Sequence, residues 1–62
     1  MRTILLDYDG EPAKLVEDDN GIIHEAKVYR GEKWEDHNWA DLWHKGKVAM
    51  PEVFEALMEG AK

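Results

Sequence analysis

The apolar residues of this chain change their spacing once, at Gly31, and that change limits the possible folds more than any other feature. Before Gly31 the apolar residues tend to alternate with polar ones, a pattern typical of β-strands. After Gly31 they recur three and four residues apart, a pattern typical of amphipathic helices. The sequence therefore predicts a sheet followed by helices. A chain of 62 residues is too short for two cores, so we expect a single domain (1–62).

The part of the chain before Gly31 predicts three antiparallel strands, at residues 3–8, 13–17 and 22–30. Residues 9–12 include a Gly and a Pro and have the composition of a turn. Asn20-Gly21 lies between the second and third strands, and this dipeptide is a strong hairpin signal. We expect the first strand to be central, because Leu5 makes its second face apolar as well. Gly31 is then expected to end the sheet.

The first predicted helix ends at Gly46, since Gly is common just after a helix C-terminus. Its N-cap is either Asp36 or Asn38, because both side chains can accept hydrogen bonds from the first turn. The apolar stripe of this helix, which we expect to pack on the sheet, consists of Trp39, Leu42 and Trp43.

The second predicted helix begins at Pro51, a residue that suits the first helical turn. Its apolar stripe consists of Met50, Val53, Phe54, Leu57, Met58 and Ala61. A small sheet needs one face covered, and two short helices can supply that cover. The predicted fold class is therefore α+β: a three-stranded antiparallel sheet (β-β-β) followed by two short α-helices packed on one face.

The composition excludes several functions. The chain has no Cys and no Ser, which excludes disulfides, thiolate zinc sites and Ser or Cys catalytic triads. It has 14 Asp and Glu against 8 Lys and Arg, a net charge of −6, so we expect no direct nucleic-acid binding and a preference for basic partners. The scattered glycines form no phosphate loop, so we expect no cofactor. No apolar run exceeds three residues, as at residues 4–6, which is too short to cross a membrane, so we expect no membrane partner and a cytoplasmic location.

The motif Asp7-Tyr8-Asp9-Gly10 follows an apolar strand and resembles the nucleophile motif of haloacid-dehalogenase-type phosphatases. The resemblance implies that Asp7 accepts a phosphoryl group and that Asp9 is the general acid, on a doubly wound parallel sheet. Such a sheet needs a crossover of a dozen or more residues, and none fits between Gly10 and the next strand at Ala13. Glu11 also stands where the family has Thr or Val. The sequence therefore favours an acidic turn without catalysis.

His37, Asp41 and His44 are spaced to share one face of a helix. Histidine and carboxylate ligands suit Zn²⁺, so these residues are the candidate metal site. The same face lies opposite the apolar stripe and is also the expected solvent face. Both interpretations stay open, and the first gives the alternative function, a metal- or small-ligand-binding domain.

The leading hypothesis is a small acidic, non-catalytic module that binds another protein, as a regulator, an inhibitor or an accessory subunit. Trp34 lies outside the helical stripe and beside Tyr29, so these two residues are candidate anchors for a partner. The carboxylates of the second helix are candidates for meeting a basic partner, and these are Glu52, Glu55 and Glu59. Self-association is one version of this hypothesis, because a second copy would also enlarge a small core.

Overall fold

A computed structural model describes residues 1–61 and confirms an α+β fold. The elements, in chain order, are β1 (Arg2–Tyr8), β2 (Glu11–Glu17), β3 (Ile23–Arg30), β4 (Lys33–Asp36), α1 (Trp39–Lys45), β5 (Lys47–Val48) and α2 (Pro51–Gly60). The strands form one five-stranded sheet in the order β4-β3-β2-β1-β5. Every neighbouring pair in this sheet is antiparallel.

Two hairpins of the sheet have tight turns with left-handed backbone. Asp9 and Gly10 join β1 to β2 with φ values of 49° and 87°. Gly31 and Glu32 join β3 to β4 with φ values of 62° and 63°. Two successive positive φ angles match the twist of the flanking strands, which favours a two-residue hairpin. The acidic motif at residues 7–10 is therefore a hairpin turn between antiparallel strands, as the chain length between strands predicts.

The three-stranded sheet of the prediction was wrong in number, because β4 and β5 were missed. The Gly31-Glu32 turn continues the sheet where Gly31 was expected to end it. β4 has four residues, three of them charged, so it has no apolar alternation to detect. β5 has two residues, fewer than any pattern can identify.

The hairpin predicted at Asn20-Gly21 joins β2 to β3, but its loop spans residues 18–22. Asp18 organises this loop, because its Oδ1 accepts hydrogen bonds from the N–H of Asn20 at 2.8 Å and of Ile22 at 3.0 Å. Gly21 adopts a φ of 80° there. A register shift at Val16/Glu17 accompanies the longer loop.

The core lies on the face of the sheet that α1 covers. Leu6 pairs with Ala13, and Ala13 with Val28, so these side chains share that face. Asn38 fixes the start of α1, because its Oδ1 accepts from the N–H of Ala40 at 2.8 Å. Together the buried residues of this core are Leu6, Tyr8, Ala13, Leu15, Val28 and Leu42.

The second helix lies on the other face, so the prediction of two helices on one face was wrong. Tyr29 pairs with Trp34 on the face opposite to Val28. Phe54 of α2 stacks on Trp34, with ring centroids 6.3 Å apart. The reason is the path of the chain: after α1 it adds β5 to the edge of β1, and α2 then starts beyond that edge. Within residues 1–61, no helix has the length and apolar content needed to cross a bilayer.

Candidate protein-binding surface

The two tryptophans of α1 are more than half exposed, and the expectation that both pack in the core was wrong. Trp39 is 54% exposed and Trp43 is 56% exposed, whereas Leu42 between them is fully buried. The helix has only seven residues, about two turns, so it directs one apolar side chain straight at the sheet. Its two tryptophan side chains flank that contact and keep about half of their surface in water.

A first groove of about 390 Å³ lies on the core face, beside the β2–β3 loop. Ile22, at the end of that loop, is itself exposed. The residues that line this groove are Glu17, Gly21, Ile22, Ile23, Trp39 and Trp43. The indoles and two isoleucines make its surface mainly apolar.

A second groove of about 400 Å³ lies along the outer edge of β1. Val48 of β5 is 77% exposed at this groove, and Met50 beyond it is 65% exposed. The residues that line it are Arg2, Thr3, Ile4, Leu5, Trp43, Val48, Ala49 and Pro51. Trp43 lines both grooves, and we call the two together the Trp43 surface.

Trp34 and Tyr29, the candidate anchors, contact each other inside the fold. Their rings meet edge to face, with centroids 5.4 Å apart and an interplanar angle of 83°. Phe54 stacks on Trp34, and Lys14 Nζ lies 4.5 Å from the centre of the Trp34 ring. Trp34 is therefore partly buried and holds α2 on the sheet, and its contact with a partner stays a prediction.

The three glutamates predicted to meet a basic partner are exposed on α2. Glu52 lies in the first turn, where a negative charge suits the helix dipole. Glu55 and Glu59 follow toward the C-terminus of the helix. This helix begins at Pro51, which lines the second groove, so the acidic helix adjoins the Trp43 surface.

Two of the three candidate metal ligands are brought together, but as partners of a tyrosine. Asp41 Oδ2 accepts a hydrogen bond from the Tyr8 hydroxyl and lies 2.6 Å from His37 Nε2. An ionised carboxylate can only accept, so His37 Nε2 carries the proton of that bond. The rings of Tyr8 and His37 also contact, with centroids 5.0 Å apart. These three residues form a hydrogen-bonded network that ties α1 to β1.

The network shifts the pKa values of two of its members. The hydrogen bond from His37, and next the one from Tyr8, hold the pKa of Asp41 down at about 2. The hydrogen bond that the Tyr8 hydroxyl donates to Asp41 raises the pKa of the Tyr8 phenol. Both shifts favour the state in which Asp41 is ionised and Tyr8 keeps its proton.

His44, the third candidate ligand, is exposed in the last turn of α1. Over residues 1–61, no group of three histidine or carboxylate side chains is arranged to hold a metal ion. The observed geometry of His37 and Asp41 instead suits a structural hydrogen bond. A metal site there stays a prediction from spacing alone.

The Trp43 surface could have been suspected from the sequence. Asn38 and Gly46, the two cap signals, leave room for only two helical turns, and two turns cannot bury two tryptophans and a leucine under one small sheet. The groove along the outer edge of β1 had no comparable signal, because it depends on how much of β1 the short strand β5 covers. Comparison of the chain with protein-family models, with curated proteins and with solved structures found no match.

Proposed function

We propose that this protein acts by binding another protein through the Trp43 surface, without catalysis. The observation that carries the proposal is the exposure of Trp39 and Trp43, both above half, beside two mainly apolar grooves. Large contiguous apolar patches are uncommon on the surface of monomeric soluble proteins and mark interaction sites. Tryptophan in particular supplies much of the binding energy at interfaces.

The charge of the chain supports a basic partner. The net charge is −6, and the acidic helix α2 starts at the edge of the second groove. Complementary charge around an apolar contact raises the association rate and helps to exclude wrong partners. A partner with basic residues around an apolar segment fits this arrangement. The protein would then act as a regulator, an inhibitor or an accessory subunit of the protein that it binds.

The alternative, a metal- or small-ligand-binding domain, has less support. It depends on His37 and Asp41, and these side chains already bond to each other and, through Asp41, to Tyr8. A ligand would have to displace those bonds. The Trp43 surface needs no such rearrangement.

The test is affinity capture from source-cell lysate with quantitative mass spectrometry, using the wild-type chain and Trp43→Ala, Trp39→Ala and Lys33→Ala variants. Lys33 is an exposed residue of β4 at the far edge of the sheet, so it is the matched control. We expect a stoichiometric partner that both tryptophan variants lose and the lysine variant keeps. Truncating a tryptophan that is a binding hot spot costs about 2 kcal/mol or more, which is about thirtyfold in affinity.

Two results would contradict the proposal. One is a partner that survives both tryptophan substitutions, and the other is no partner in the wild-type arm. Trp34→Ala is a further variant that locates the site. If that substitution alone removes the partner while circular dichroism shows unchanged helix content, the contact lies at Tyr29 and Trp34 and not at the Trp43 surface.

A further inference from the structure

The outer edge of β1 is only partly covered by β5. β5 pairs with Leu6 and Asp7 of β1, and the Ala49 N–H adds a bond of 2.9 Å to the Leu5 carbonyl. β1 begins at Arg2, so residues 2–4 extend past the end of this pairing. No strand among residues 1–61 lies beside them on that side. The first half of β1 is therefore an open sheet edge.

The direction of the backbone groups on this edge follows from the observed bond. The Leu5 carbonyl points outward, because it accepts from Ala49 of the neighbouring segment. In an antiparallel sheet, the N–H and C=O of one residue point to the same side, and residues two apart share that side. The N–H and C=O of Thr3 and the N–H of Leu5 thus face outward as a donor–acceptor–donor series. An extended chain carries the complementary acceptors and donors along one edge, so it could hydrogen-bond to this series.

Apolar residues flank this edge on both faces of the sheet. Trp43 of α1 lies on the core face, and Pro51 at the start of α2 lies toward the other. Val48, the last residue of β5, and Ala49 after it line the end of the groove nearest that strand. A strand added at this edge would place its alternating side chains toward Trp43 on one side and toward Leu5 and Pro51 on the other.

We propose that the second groove binds an extended segment of the partner protein, which adds a strand to the open edge of β1 and carries apolar side chains between basic ones. This inference rests on the proposed function and specifies how the partner is recognised. Strand addition takes its affinity from main-chain hydrogen bonds and its specificity from the side chains beside them.

Charge favours a basic segment over a second copy of this chain. Each copy carries −6, so pairing two copies at this edge would bring like charges together. Arg2 lines the groove, but its guanidinium is paired with Glu17 and offers little net positive charge. The exposed Glu52 follows Pro51, which lines the groove, directly in the sequence and places a negative charge next to that lining residue. Lysines or arginines at the ends of the added strand would complement that charge.

The key variant is Thr3→Pro, with Thr3→Val as its matched control. The Thr3 N–H faces away from β2, so proline removes the outward donor and leaves the β1–β2 ladder intact. Proline also requires an extended residue before it, and Arg2 is already in a strand. Valine keeps the N–H and the branched shape. The two variants differ in the outward N–H of residue 3, so strand addition predicts that they bind the partner segment with different affinities.

The probe is a synthetic hexapeptide with lysine at each end and alternating valine and isoleucine between, titrated into the isotopically labelled full chain and followed by amide NMR and hydrogen exchange. We expect the wild-type chain and the Thr3→Val variant to bind it, with slower exchange at the amides of residues 3 and 5 and a shifted Trp43 indole signal. We expect Thr3→Pro to weaken binding by about tenfold, as expected for one lost hydrogen bond and a blocked edge. A hexapeptide with glutamate ends should bind more weakly, and added salt should reduce the difference in affinity between the two peptides.

Two further probes keep the test decisive if Thr3→Pro unfolds. A lysine-ended hexapeptide N-methylated on the amides that face β1 should lose binding to the wild-type chain, while one methylated on the outward amides should keep it. Strand addition would be overturned if the two methylated peptides bound the wild-type chain equally. It would also be overturned if the unmethylated lysine-ended peptide bound the Thr3→Pro and Thr3→Val variants equally. If the glutamate-ended peptide bound as tightly as the lysine-ended one, the proposal that the segment is basic would be overturned.

Failure of this inference is distinguishable from failure of the proposed function. If the Leu5 amide of the free protein exchanged more slowly as the protein concentration rose, a second copy of the chain would occupy the edge. That result would overturn the proposal. A natural partner lost by Trp43→Ala but kept by Thr3→Pro would overturn strand addition and leave the proposed function intact. A partner kept by Trp43→Ala would overturn the proposed function itself.

Discussion

The two helices cover opposite faces of one sheet and are held there in different ways. α1 has seven residues, and it places Leu42 in the core, takes an N-cap from Asn38 and bonds to β1 through Asp41. α2 has ten residues, but Met50 gives it no side-chain cap, and none of its described side chains is fully buried. The shorter helix is therefore the better anchored one. A fully buried side chain and an N-cap, and not helix length, distinguish the firmly held helix from the other one.

This difference bears on the proposed function. α2 is held by partly buried side chains and by the stacking of Phe54 on Trp34. Segments with few buried contacts open at lower free energy than the core does. The start of α2 borders the groove at β1, so an added strand would meet the less firmly held helix on one side and the firmly held Trp43 helix on the other.

The largest contrast between the two helices is expected from leucine truncation. Leu42→Ala in α1 should lower the free energy of unfolding by about 3 kcal/mol, because it leaves a cavity in a fully buried site. Leu57→Ala in α2 removes the same atoms from a partly buried site and should cost about 1 kcal/mol. Urea unfolding followed by circular dichroism measures both. Equal losses would mean that α2 is packed as firmly as α1.

The first three strands of the sheet could be predicted from the sequence, but the face on which each helix lies could not. β1, β2 and β3 were identified because their apolar residues alternate, and turn residues separate them. Leu5 had already indicated that both faces of β1 are apolar, which is the pattern expected when each face is covered by its own helix. Two helices on one face would leave the second apolar face of β1 uncovered. The route of the chain around the sheet edge depends on β5, whose two residues carry no pattern.

The candidate site was harder to predict than the fold. Spacing assigned Trp39 and Trp43 to the core and left Trp34 outside the stripe, and the structure reverses this order of exposure. Helical spacing shows which residues share a face, but not how much of that face the partner layer covers. The Tyr8 bond to Asp41 joins residues 33 apart, so no local pattern could reveal it.

A second, smaller contrast is expected at the two N-caps. Asn38→Ala should destabilise the protein by about 1 kcal/mol, because the N–H groups of Ala40 and Asp41 lose their acceptor. Met50→Ser should do the opposite at α2 and stabilise by about 0.5 kcal/mol, since it supplies an acceptor where none now bonds. Thermal unfolding of the two variants tests the pair. A loss of stability in Met50→Ser would show that the exposed Met50 side chain contributes more than a cap would.

The smallest of the three contrasts is expected in the response to acid. The pKa of Asp41 is about 2 in the folded protein, below its ordinary value of 3.8. A carboxyl group whose pKa is lowered by folding adds stability above the ordinary value, and that stability is lost as the pH falls toward the folded one. Asp41 keeps 30% of its side chain exposed, so solvent screens part of the effect.

Asp41→Asn should therefore flatten the fall in the free energy of unfolding between about pH 4 and pH 2, and it should do so more than Glu55→Gln on α2. The two variants each remove one negative charge, so the comparison isolates the bonds that Asp41 makes to His37 and Tyr8. Urea unfolding at a series of pH values across this window measures both slopes. If the two variants flatten the curve equally, the net charge and not the network governs acid sensitivity. Only a larger effect at Asp41 would establish that hydrogen bonds between α1 and β1 distinguish the anchored helix from α2.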